Sequence, residues 1–136
     1  MRSYLSTQLS TLLPAGSNRL ADVQQGHAVT FAGYPACRFY YLSAKEVLED
    51  NRNKWRSYNF QIDLIYKLAG EDKSVAESTL EDAMEAVLNA LDADFTFGGH
   101  ADNTEINAER IREVEAPYGV SLVLPIFVSA FMLQFF

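Results

Sequence analysis

The chain has 136 residues, 49% of them hydrophobic and 21% charged, which fits one globular domain and excludes a wholly disordered chain. Eleven basic residues against 18 acidic ones give a net charge of −7, which argues against a protein that binds nucleic acid by neutralising phosphates. One cysteine, Cys37, excludes an internal disulfide framework, and two histidines, His27 and His100, leave little for an imidazole metal site.

The first element is a helix over Ser3 to Leu13. Leu5, Leu9, Leu12 and Leu13 fall on one face, and Ser3 is placed to cap it. Pro14 to Asn18 ends it. Its N-terminal residues lack the long apolar run of a secretory signal. A short strand is expected at His27 to Phe31, and a turn at Gly33-Tyr34-Pro35. Ala36 to Leu42 reads as a strand with Cys37, Phe39 and Tyr41 on one face. Ser43 to Asn53 shows no apolar pattern, so the expectation is a long, partly mobile hairpin connection, an arm at about 43–56.

Tyr58 to Lys67 alternates strictly: Tyr58, Phe60, Ile62, Leu64 and Tyr66 on one side, Asn59, Gln61, Asp63, Ile65 and Lys67 on the other. Period two over that length predicts a strand with one face in the core. A helix follows. Ser74 and Glu77 have capping-box spacing, and Val75, Leu80, Met84, Val87, Leu88 and Leu91 form its apolar stripe. Glu77, Glu81 and Glu85 recur every four residues on another face. Glu71 to Asp94 holds eight acidic residues and one basic residue, a charge equal to that of the whole chain.

Phe95 to Gly99 reads as a short extended piece and a turn, and Thr104 to Glu115 as an edge strand. Tyr118 to Phe136 has 19 uncharged residues, enough to span a bilayer. Gly119, Pro125, the missing basic flank and the β-branched content favour instead a buried strand, broken or bent at Pro125. The fold class expected is α+β: one domain over 1–136, with a single antiparallel or mixed sheet of four to five strands packed against an N-terminal helix and one long acidic amphipathic helix.

No catalytic constellation stands out. There is no phosphate-binding glycine loop, dinucleotide fingerprint or nucleophile elbow. Cys37 reads as a small core residue before it reads as a nucleophile. Asp92, Asp94 and Asp102 have oxygen ligands for a hard cation but lack calcium-loop spacing, so a solvated face is preferred. Arg52, Lys54, Trp55 and Arg56 form the only basic cluster and contain the only tryptophan. They read equally as a contact loop or as the solvated start of the next strand. No catalytic residue, metal or cofactor is assigned.

Several short motifs occur in a familiar order. They are Tyr34-Pro35-Ala36, the alternating strand Tyr58 to Lys67, Asn89-Ala90-Leu91-Asp92, and Thr96-Phe97-Gly98-Gly99. Over roughly residues 3 to 131 the chain resembles the tail terminator, or tail completion, proteins of long-tailed bacteriophages. The very apolar end, Phe131 to Phe136, departs from that pattern.

The resemblance implies a structural virion protein of the tail or neck, assembled in the host cytoplasm. It implies a homo-oligomeric ring, hexameric, that caps the head-proximal end of the tail tube and stops its polymerisation. The implied partners are the tail tube protein and a head–tail connector protein, with DNA passing through unbound and no membrane. On this reading Arg52, Lys54, Trp55, Arg56, Phe95 and Phe97 are candidate contacts to a neighbour or to the tube. Glu77, Glu81 and Glu85 are candidate lumen-facing residues, because an acidic lining repels phosphates. The alternatives are another small neck protein and a small cytoplasmic ligand-binding domain or enzyme using a pocket near Cys37.

Overall fold

The computed structural model describes residues 2–10, 20–27, 31–48, 53–68, 70, 72–93, 96, 98–99, 101–116 and 119–135. In chain order the elements are α1 (Arg2–Ser10), β1 (Asp22–Gln25), β2 (Ala36–Leu48), β3 (Asn53–Lys67), α2 (Lys73–Asp92), β4 (Asn103–Ala108), β5 (Arg112–Ala116) and β6 (Gly119–Phe135). Among the described residues one six-stranded sheet has the order β1-β2-β3-β6-β4, with β5 also paired to β6. The β1–β2 pair is parallel and all others are antiparallel.

The sheet centre is where the alternation is strongest. Phe60, Ile62 and Leu64 of β3 face the helices, in register with Val128, Ile126 and Leu124 of β6. Cys37 and Phe39 of β2 join them. Leu5 and Leu9 of α1 close this core with Ala76, Leu80, Ala83, Val87 and Leu91 of α2. Each fully buried leucine contributes about 1.5–3 kcal/mol relative to exposure. The main hydrophobic cluster lies on the helix side of the sheet, while Ala36 and Ile65, in register with each other, are buried on the opposite face.

The expected architecture of four to five strands against one long acidic helix is corrected. The sheet has six strands, and the two helices are short, 9 and 20 residues. Three local differences account for it. Asp22–Gln25 is too polar to show a core-facing pattern, yet it pairs in parallel with Ala36–Phe39. Thr104 to Glu115 is two strands, β4 and β5, laid along successive parts of β6. Ser43 to Leu48, expected in a connection, is strand, because β2 continues to Leu48, and β3 begins at Asn53.

Pro125 neither breaks nor bends β6 into two strands. It lies in register with Asp63, and its carbonyl accepts the Glu109 N–H at 2.9 Å. Its nitrogen therefore faces the same outer side, between the end of β5 pairing at Val123 and the start of β4 pairing at Ile126. No ladder donor is needed there, so proline is tolerated inside the sheet.

Both helix starts also differ from expectation. α1 begins at Arg2, so Ser3 is inside it, and Leu12 and Leu13 lie outside the described residues. α2 is capped by Asp72, whose carboxylate accepts the Ser74 N–H at 3.0 Å and replaces the Ser74–Glu77 box. Val75, expected in the apolar stripe, is 56% exposed. The strand expected at His27 to Phe31 falls mostly outside the described residues, as do Phe95 and Phe97, while Thr96, Gly98 and Gly99 are turn residues.

Candidate functional site

Beyond the irregularity between Tyr41 and Ser43, β2 and β3 continue as an extended hairpin with β6 along its other side. Every residue from Tyr41 to Leu48 is exposed. Alternation splits the basic cluster between the two faces. Lys54 and Arg56 share the helix-side face with Glu46, which accepts from Arg56 Nε at 2.7 Å and from Lys54 Nζ at 3.2 Å. Those bonds hold the Glu46 carboxyl below its ordinary range. Arg56 Nη1 also donates to the Tyr58 hydroxyl at 3.2 Å. Such exposed pairs contribute little to stability.

Trp55 points the other way, onto the face that no described helix covers. It is in register with Val47 and Leu133. With Asn103, Glu105 and Phe131 it lines a concavity of about 350 Å³. Phe131 comes from the apolar C-terminal run, so that run supplies part of this surface. The candidates Arg52, Phe95 and Phe97 lie outside the described residues.

Toward the middle of the same face lies a polar knot that periodicity alone did not single out. Asp63 is buried at 2% exposure. Arg38 Nε and the Tyr40 hydroxyl donate to its Oδ2 at 2.9 and 3.1 Å, and Gln61 Nε2 donates to Oδ1 at 2.7 Å. His27 lies against the Tyr40 ring at 4.0 Å between centroids. Burial, and then the Asp63 charge, push the Tyr40 phenol up to about 12. The available signal was Arg38 and Asp63 on the polar phases of two adjacent strands. Asp102 is exposed and ties two strands together. Its carboxylate accepts the Leu133 N–H at 2.7 Å while its own N–H donates to the Phe131 carbonyl, fastening the end of β6.

Glu77, Glu81 and Glu85 do share a face. They line a groove of about 400 Å³ with Met84, closed on the far side by Glu109, Arg110 and Ile111 between β4 and β5. Cys37 is fully buried, and desolvation followed by the nearby Asp63 and Asp22 charges raises its thiol far above the ordinary value. Among the described residues no three His, Cys, Asp or Glu side chains come together as a metal cluster. Of the three aspartates weighed for a cation, Asp94 lies outside the described residues. No described helix is long and apolar enough to cross a membrane, and Gly119–Phe135 of the uncharged run forms β6.

No protein-family model matches the chain, and a search of the curated proteins finds no match.

Proposed function

We propose that the chain is an assembly subunit of a phage tail, a terminator that forms a hexameric ring on the head-proximal end of the tail tube and joins it to the head. The observation that carries this is the one-sided sheet. Its helices cover a single face, while the other presents Trp55, Phe131 and an extended hairpin to a neighbour. Apolar surface of this kind on so small a subunit suits an interface. In this account the protein acts without catalysis, and Cys37 is a packing residue.

The groove bearing Glu77, Glu81 and Glu85 faces the DNA passage. Its carboxylates repel phosphates and keep the passage from binding DNA. Reversing these charges to lysine in assembled particles is expected to slow DNA passage. Unchanged passage would remove them from the lumen.

The test of the whole reading is imaging of purified tail tubes incubated with the protein. The expected result is density at one tube end and arrest of further polymerisation. Binding to the portal side alone would assign the chain to another neck component, and tubes that grow unchanged without any added density would overturn the reading.

A further inference from the structure

The sheet has two unequal borders. On one side β1 pairs only with Ala36–Phe39, so among the described residues no strand covers the outer side of β2 from Tyr40 to Leu48. Leu42, Val47 and Leu48 are exposed there, Leu48 at 63%. On the other side the sheet ends at β4. An exposed edge of this length offers unpaired N–H and C=O groups to another strand. Natural edges are usually shortened or covered, and among the described residues no segment covers this one.

We propose that β2 of one copy pairs with β4 of a second copy, so that the sheet continues from subunit to subunit. This rests on the ring assembly proposed above. Strand direction fits first. β2, β3, β6 and β4 alternate in direction, so β2 and β4 run oppositely. A head-to-tail repeat therefore lays a neighbour's β4 antiparallel against β2, and repeats of this heterologous kind close into rings when the rotation allows.

Register fits second. Lys45 and Glu105 both lie on the open face, and neither makes an ion pair among the described residues. Setting them opposite each other also places Ala44 against Ile106 on the helix side. Val47 then meets Asn103, and Ser43 meets Asn107. A one-residue slip exposes the wrong face, and a two-residue slip puts Lys45 against an asparagine. The mirror arrangement, β2 on β2 about Lys45, sets like charges together.

The test is oxidative cross-linking of the full chain carrying Val47→Cys and Asn103→Cys. Facing residues in an antiparallel pair are about 4.5–5.5 Å apart at Cα, within disulfide reach. Cys37 is buried and stays out of the reaction. The expected result is a ladder of covalent multimers, about ten-fold more abundant than from either single variant, whose pairs are not in register. Lys45→Glu should raise the concentration needed for assembly about ten-fold, and Lys45→Glu with Glu105→Lys should restore it. Cross-linking by Lys45→Cys alone would show β2 on β2 about Lys45, by Val47→Cys alone β2 on β2 about Val47, and either would overturn the proposal. So would absent cross-links in a double variant that still assembles, while leaving the ring intact. Loss of assembly by the unmodified chain would remove the ring and this contact together.

Discussion

Arg38 on β2 donates its Nε–H to Asp63 on β3 at 2.9 Å, across a pair of strands in direct register. Asp63 is a buried charge on the sheet face without helices, and Tyr40 and Gln61 complete its bonding. Removing one partner strands the other. Asp63→Ala is expected to destabilise the fold by about 3 kcal/mol, at the lower end of the usual range because Arg38 stays partly in water. Denaturant unfolding measures it, and a loss below about 0.5 kcal/mol would show the knot to be peripheral.

The same knot predicts a pH dependence. The Tyr40 phenol is raised from 10.0 to about 12 by burial and by Asp63. The unfolded chain then loses this proton before the folded one. The contribution is present below pH 10 and falls away between 10 and about 12. Stability of the wild type should decline more steeply over that window than that of Tyr40→Phe. Parallel slopes would contradict the assignment.

Cys37 should be inert. Its thiol is buried and raised, so little thiolate forms near neutral pH. Labelling by a thiol reagent is expected only as fast as the protein unfolds, and at full rate in denaturant. Rapid labelling of the native chain would favour the ligand-binding or enzyme alternative.

Helix α2 gives a paired contrast. Leu80 is fully buried, and Leu80→Ala should cost about 2–5 kcal/mol. Val75 stands outside the core, and Val75→Ala should change stability by less than about 0.5 kcal/mol. At the helix start, Asp72→Ala should lower the melting temperature more than Glu77→Ala, because Asp72 is the cap. Calorimetry on the four variants checks the set.

What the sequence made legible follows from how many independent signals each segment carries. Tyr58 to Lys67 has one face in the hydrophobic cluster and a mostly polar opposite face, so its alternation is visible without any partner, although Asp63 and Ile65 on that opposite face are buried as well. The core half of α2 shows its period through Leu80, Val87 and Leu91. By contrast Ser43 to Leu48 is exposed on both faces, so no alternation exists to be read, and its strand state comes from pairing with β3. Asp22–Gln25 depends likewise on β2. Pro125 misled because a proline's cost depends on which side its nitrogen faces, which only the placement of β4 and β5 decides. Within the candidate site, Trp55 was legible as a rare aromatic among cations. Glu105 and Phe131 were not, because they reach it from distant strands through β6.

The central claim is that this chain works as a subunit of a closed assembly. Its most direct test is the mass in solution by light scattering across a concentration series, with and without tail tubes. The account predicts one fixed multiple of the chain mass, either for the protein alone or on addition of tubes. A monomer at every concentration that ignores tubes would contradict it.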